Sequence, residues 1–240
     1  GGALMARRAV QTLVHQAVEA GMTVLQGEVR PVRSGDGRDG HLPSVTLRTP
    51  AGDRELRAEN FVFACGPWLG RVCPDAMAGR LFVTRQEVFY FAAGRDETGA
   101  LPVWADLPFY GFPDLEGRGF KVANDTHGMR VDPDMQSRQT TDEQLDLARE
   151  FLSRRFPSIA KAALTETRVC QYENSSNGDF VIDRHPGLAN AWVVGGGSGH
   201  GFKHGPALGA HVAALVRQET RPIERFSLAS KDRIQAREVH

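Results

Sequence analysis

Trp192-Val193-Val194-Gly195-Gly196-Gly197-Ser198-Gly199-His200-Gly201-Phe202-Lys203-His204-Gly205-Pro206 decides how the chain is read. An apolar strand runs into a glycine-dense loop and then into a helix. Glycine lets a backbone come close to a ligand and adopt φ > 0 without a Cβ clash. Pro206 stands where a first helical turn tolerates proline, and Ala207 to Val216 have the apolar content of a packed helix. The free amides and positive dipole end of such a helix favour an anionic group in the loop.

Working outward, Phe180 to Asp183 and Ala191 to Val194 read as the strands that lead into the loop, and Leu164 to Tyr172 as another strand. Thr141 to Arg155 opens on a capping box, Thr141 with Gln144, and lines Leu145, Ala148, Phe151 and Leu152 along one face of a helix. Phe109 to Pro113 and Gly119 to Ala123 flank the turn Asp114-Leu115-Glu116-Gly117-Arg118 as a pair of strands. Leu81 to Ala93 alternates through Phe82, Thr84, Gln86, Val88 and Tyr90, which predicts a half-buried antiparallel strand. Phe61 to Cys65 is nearly unbroken apolar sequence and predicts a strand buried on both faces. Val45 to Thr49 and Arg54 to Ala58 form a hairpin around Pro50-Ala51-Gly52-Asp53. Met22 to Leu25 and Glu28-Val29 read as short strands. Met5 to Ala20 carries Ala6, Ala9, Val10, Leu13, Val14 and Ala17 at helical spacing, with Gly21 as its stop.

Composition narrows the class. With 240 residues and 41% hydrophobic content the chain holds one large domain or two small ones. Its 29 basic and 29 acidic residues balance, so no electrostatic footprint points to nucleic acid or an anionic membrane. No apolar run reaches the roughly 18 residues of a spanning helix, and the first residues lack the layout of a signal peptide. The expected location is cytoplasmic. Cys65, Cys73 and Cys170 form an odd set without CxxC spacing, which argues against a disulfide framework and a zinc site. His185, His204 and Asp183 show no metal-ligand spacing, so no metal is expected. Ser198 lacks the GxSxG setting of a nucleophile elbow. Gly195 to His200 has histidine where the last glycine of GxGxxG belongs, so the dinucleotide fingerprint is missing.

An ordered set of motifs goes further: Phe63-Ala64-Cys65-Gly66-Pro67-Trp68, Gly119-Phe120-Lys121, Val131-Asp132-Pro133-Asp134, Cys170-Gln171-Tyr172, Asp179-Phe180-Val181-Ile182-Asp183-Arg184-His185-Pro186 and Gly197-Ser198-Gly199-His200-Gly201-Phe202-Lys203. Together they resemble the C-terminal part of the D-amino-acid-oxidase-like FAD-dependent oxidoreductases, the group of monomeric sarcosine oxidase and N-methyltryptophan oxidase. The resemblance implies an α/β (α+β) fold. Residues 1–80 are then the middle segment of a flavin-binding Rossmann-like domain lacking its N-terminal βαβ unit. Residues 81–172 are a substrate domain of mostly antiparallel sheet with a helix at 142–155, and residues 173–240 are the last segment of the flavin-binding domain. A truncated or split chain, with an N-terminal segment or subunit supplied elsewhere, is the matching expectation.

The same resemblance implies roles. Cys170 matches the cysteine joined covalently to FAD, and Lys121 the lysine that promotes reaction of reduced flavin with oxygen. Gly197, Ser198, Gly199, Gly201, Phe202 and Lys203 match the flavin-contacting loop. His200, Lys203 and Tyr172 face the substrate, with Lys203 pairing its carboxylate. Asp125 falls where sarcosine oxidase has an active-site histidine, with His127 two positions later. Glu173-Asn174-Ser175-Ser176-Asn177 stands where relatives carry Thr/Ser-Pro-Asp. The implied reaction is oxidation of a small amine or amino acid to an imine, with O2 as acceptor and peroxide as product. A dehydrogenase using another acceptor, or a silent binding module that needs an N-terminal partner, fits the same residues.

Overall fold

The computed structural model describes residues 2–93, 98 and 101–231. They fall into two compact units, one of Val83–Tyr172 and one of Leu4–Phe82 with the segment from Glu173 onward. The second unit opens on α1 (Ala6–Glu19), which stops at Gly21 with φ 96°. No residue of α1 is buried, and Leu13 is 66% exposed. Its apolar stripe meets no core among the described residues. Replacing Leu13 by Gln is therefore expected to shift stability by no more than about 0.5 kcal/mol while lowering the binding of an apolar dye. A urea midpoint that falls as for a core substitution would overturn that expectation.

Three antiparallel strands follow, β1 (Glu28–Val29), β2 (Val45–Thr49) and β3 (Gly52–Leu56), in the order β1-β2-β3. The strand expected over Met22 to Leu25 does not form. β1 meets β2 only at Glu28↔Arg48 and Val29↔Leu47, so the residues before it have no ladder to satisfy their amides. β4 (Phe61–Phe63) is followed by two short helices, α2 (Leu69–Val72) and α3 (Pro74–Met77). Phe61 and Phe63 are buried but Val62 is 44% exposed, which corrects the expectation of burial on both faces. Among the described residues β4 ends the β10-β11-β4 sheet; Phe61 and Phe63 enter the main core on one face, and no described hydrophobic cluster covers Val62 on the other.

The first unit is a five-stranded sheet with a helix on one face. β5 (Leu81–Phe91), β6 (Trp104–Asp106), β7 (Phe109–Phe112), β8 (Phe120–Asn124) and β9 (Leu164–Ser175) align in the order β6-β7-β8-β5-β9, and α4 (Asp142–Arg155) packs on it. Side chains alternate across a strand. Phe89, Phe91, Phe109, Phe120 and Val122 point to one face and meet Ala148, Phe151 and Leu152 of α4. Aromatic rings fill that layer: Phe109 and Phe151 have centroids 4.4 Å apart, and Trp104 stacks at 5.6 Å on Phe151 and 5.7 Å on Phe120. Every residue of β5 from Gln86 to Phe91 is buried, not alternate ones as the pattern predicts, because β5 lies between β8 and β9 and carries side chains packed on both faces. The Thr141 hydroxyl caps α4 by accepting the Gln144 amide at 3.4 Å, and Asp142 and Glu143 in the first turn oppose Arg154 and Arg155 in the last, as the helix dipole favours.

The chain returns to the second unit in β10 (Val181–His185) and β11 (Leu188–Gly195), then enters α5 (Gly205–Val216) with a proline in its first turn. β11 is the middle strand of the order β10-β11-β4, antiparallel to β10 and parallel to β4. Val181, Leu188, Ala191 and Val193 join Phe61, Phe63 and Leu69 in the main core of this unit. Trp192 and Ile182 point the other way and meet Val212 and Leu215 of α5. No helix among the described residues is long and apolar enough to cross a membrane.

Candidate functional site

The sheet face opposite α4 carries polar groups. Tyr90 on β5, Tyr110 on β7, Lys121 on β8, and Cys170 and Tyr172 on β9 share that face, packed over Val88 and Ala123. Register places Lys121 opposite Tyr90 on one side and Phe112 on the other. The Lys121 ammonium sits 4.4 Å from the Phe112 ring centroid and 4.6 Å from that of Tyr110, so aromatic faces carry part of its solvation. It donates to the Tyr110 hydroxyl at 3.5 Å, the Tyr110 and Tyr172 hydroxyls meet at 3.5 Å, and the Tyr172 hydroxyl donates to Asp125 Oδ1 at 3.0 Å.

Four side chains thus run from a cation to a carboxylate. Burial pushes the Lys121 pKa down to about 8; Arg118 adds to the shift, and Cys170 and Asp125 oppose it. Burial also raises both tyrosines, with Tyr110 and Asp125 adding to the rise at Tyr172, so both hydroxyls stay protonated and serve as donors. Cys170 is a free, half-buried thiol within electrostatic reach of Lys121. Tyr110 was not singled out in the sequence. The available signal was its alternation with Phe109 on a strand beside that of Lys121. His127, two residues beyond Asp125, is exposed on the loop after β8.

The glycine loop belongs to the other unit and is built differently. Gly196, Ser198 and Gly199 have φ of 69°, 43° and 78°. The Glu173 side chain reaches into this turn: its Oε2 accepts the Gly196 amide at 2.9 Å, the nearby Gly197 amide also favours the ionised carboxyl, and the Glu173 carbonyl accepts the Ser198 amide at 2.8 Å. The Gly196 and Ser198 amides are therefore engaged within the fold. The Ser198 hydroxyl is engaged within the fold as well, donating to the Gly196 carbonyl at 3.1 Å and accepting the Ser175 amide at 3.3 Å.

Beyond Ser198 the loop faces outward. Gly199, Phe202 and Lys203 are exposed, Phe202 by 48%, and the segment Gly201–His204 winds as a 3-10 turn into α5. His200 is half-buried, its Nδ1 3.2 Å from the Ser198 carbonyl and its ring 5.3 Å from that of Phe180. Gly201 is limited by the same ring, since a Cβ there would lie 3.3 Å from it. An exposed aromatic ring and a lysine thus stand at the start of α5. No group of three or more His, Cys, Asp or Glu among the described residues has the arrangement of a metal site.

Comparison with known proteins decides the family. The DAO family, described as FAD dependent oxidoreductase, matches residues 1–215. The chain belongs to this DAO family. Among curated relatives of this DAO-family chain, monomeric sarcosine oxidase of Bacillus sp. (strain NS-129) is 37% identical over 110 residues, covering 45% of this chain and 28% of that protein. Peroxisomal sarcosine oxidase of Mus musculus is 30% identical over 87% of this chain and 55% of its own. N-methyl-L-tryptophan oxidase of Escherichia coli O127:H6 is 30% identical over 91% and 57%. The DAO-family chain thus spans little more than half the length of the relatives it follows furthest. In fold it is similar to a thermally stable mutant of fructosyl peptide oxidase, with a TM-score of 0.78 at 18% identity over 95% of this chain and 58% of the other. Iminodiacetate oxidase from Chelativorans sp. BNC1 gives 0.73 at 20% identity over 92% and 57%. The family consists of FAD-dependent amine and amino-acid oxidoreductases.

Proposed function

We propose that this chain serves the FAD-dependent oxidation of an amino acid or N-methyl amino acid. The observation that carries the reading is Lys121, a half-buried ammonium set against two aromatic rings on the sheet face that also bears Cys170, Tyr110 and Tyr172. FAD, when bound, supplies the two-electron acceptor. Overall, two electrons and two protons leave the C–N unit of the amine, water hydrolyses the resulting imine, and O2 takes up the electrons and protons as H2O2.

The residues act by charge and placement. Lys203 offers a compact ammonium to the substrate carboxylate. His200 sets the polarity around the amine. Tyr172, fixed by Asp125, presents a protonated hydroxyl that orients the substrate without competing for its proton. Lys121 places positive charge where the reduction of oxygen develops negative charge. Gly199, Gly201, Phe202 and Lys203 are the contacts for the flavin ring, with Gly197 and Ser198 fixing their loop, and Cys170 is the residue for a thioether to it. Asp125 in place of histidine favours an amine different from sarcosine.

A Cys170→Ser variant tests the cofactor assignment. Wild-type protein is expected to keep its yellow flavin on the polypeptide after acid denaturation, and the variant to release it. Flavin that washes away from denatured wild type would sink the covalent role. Anaerobic reduction by an amine followed by exposure to air separates oxidase from dehydrogenase: prompt peroxide supports the first, and reduced flavin that persists in air counts against it. The uncovered stripe of α1 favours a second reading, in which the chain functions only with a partner segment. A purified chain that takes up no added FAD would support that alternative.

A further inference from the structure

The segment Glu173-Asn174-Ser175-Ser176-Asn177 is tied into the fold by its own polar groups. Its side chains form a brace. The Ser175 hydroxyl donates to the Asp179 carbonyl at 2.5 Å, the Asn177 amide donates to the Ser230 carbonyl at 3.1 Å, and the Ser175 backbone amide donates to the Ser198 hydroxyl at 3.3 Å. Glu173 is the member that reaches the glycine loop. Successive amides in a turn that includes left-handed residues make a concavity that suits an anion or a carboxyl oxygen. Here the occupant comes from the chain itself. Glu173 Oε2 accepts the Gly196 amide, the Gly197 amide lies near enough to favour the ionised carboxyl, and the Glu173 carbonyl accepts the Ser198 amide.

The second carboxyl oxygen, Oε1, is buried and has no hydrogen-bond partner among the described residues. Glu173 as a whole is 9% exposed. The space around Oε1 is shaped by glycine: a Cβ on Gly195 would fall 2.5 Å from Oε1 and 2.6 Å from Leu69 Cδ2. A bare buried carboxyl with one idle oxygen is costly to keep, so its bonds to the loop are the compensating gain.

We propose that Glu173 is a positioning residue: seated in the concavity of Gly196 and Gly197, it holds the glycine loop in the shape that turns Gly199 to Lys203 outward toward the cofactor. The last clause rests on the function proposed above; the clamp itself does not. Burial pushes the Glu173 pKa up to about 8, against the two loop amides that lower it, so the carboxyl is neutral at pH 7 and ionises as pH rises through about 8. Cys65 is an ionisable neighbour on the adjoining elements, and its thiol, pushed up to about 11 by burial, is neutral across that range. Ionisation therefore buries a negative charge that the loop amides offset only in part, which favours opening of the clamp to water. The sign follows: a carboxyl raised in the folded state contributes most at low pH, and that contribution is lost as pH climbs from the ordinary carboxylate range toward 8.

The experiment is amide hydrogen exchange at Gly196, Gly197 and Ser198, corrected for intrinsic rates, with FAD titration on the same samples of wild type, Glu173→Ala, Glu173→Gln and Gly195→Ala. Glu173→Ala is expected to lose protection at Gly196 by about tenfold or more, with less change at Ser198, whose acceptor is the main-chain carbonyl that alanine keeps, and to weaken FAD binding by a similar factor. Glu173→Gln keeps a neutral acceptor, so protection at pH 7 stays near wild type and its decline between pH 7 and 9 disappears. Gly195→Ala, which displaces the carboxyl sterically, is expected to match Glu173→Ala. Unchanged protection in Glu173→Ala overturns the proposal, and so does protection lost without any change in FAD affinity. If Glu173→Ala fails to fold, Gly195→Ala decides, since its methyl would displace the carboxyl: protection equal to wild type overturns the proposal. Should no variant and no wild-type sample bind FAD, the function proposed above fails while the exchange data still judge the clamp.

Discussion

Replacing Lys121 by methionine is expected to slow reoxidation of the reduced protein by O2 by about 10²–10³-fold, the loss typical of removing one preorganised electrostatic group from a reacting centre. The methionine keeps the volume of the side chain and its contacts with Tyr110 and Phe112, so the loss isolates the charge. Reduction by the amine, followed anaerobically, is expected to change far less. The wild-type rate with O2 carries its own signature. Lys121 titrates at about 8, so the cation fades and the reaction slows as pH rises through that value, and the methionine variant shows no such step. Stopped-flow mixing of reduced protein with oxygenated buffer between pH 6.5 and 9.5 measures both. Reoxidation of the variant at the wild-type rate would remove Lys121 from the mechanism.

The largest effect on stability is expected at Phe151. Its ring is 5% exposed and stacks on Phe109 at 4.4 Å and Trp104 at 5.6 Å, so truncation to alanine removes a ring from the centre of the layer between α4 and the sheet. Such substitutions cost about 3–5 kcal/mol through lost burial plus the cavity left behind. Leu147, on the same helix and 39% exposed, is the control and is expected to cost under about 1 kcal/mol as alanine. Trp104 lies against Phe151 while Trp68 and Trp192 belong to the other unit, so variants carrying Trp104 as the sole tryptophan report unfolding of the Val83–Tyr172 unit alone. Equal urea midpoints for Phe151→Ala and Leu147→Ala would contradict the packing described here.

What the sequence reveals and what it conceals divide along one line. Elements whose signals are local were legible: the Thr141 cap and the apolar face of α4, the proline at the start of α5, the turn between β7 and β8. Features set by a neighbour were not. The outward side of Val62 depends on which clusters pack against β4, and the full burial of β5 on its place between β8 and β9 with side chains packed on both faces. Lys121 and Tyr172 could be matched by motif, but the link between them passes through Tyr110, which strand register alone brings beside Lys121. Glu173 was legible only as a departure from the pattern of relatives. Its partners are backbone amides of glycines, and an amide donor leaves no trace in residue type.

The contact between Glu173 and Gly195 has an evolutionary corollary. The carboxyl occupies the volume that any side chain at 195 would need, and only a residue without a Cβ leaves room for it. The two positions therefore behave as one heritable unit. Across an alignment of this subfamily, glutamate at 173 is expected to occur with glycine at 195, and larger residues at 195 only where 173 has shrunk to serine, threonine or alanine. Lineages that exchange one without the other should pass through a state with a displaced loop, which predicts that the pair changes rarely and together.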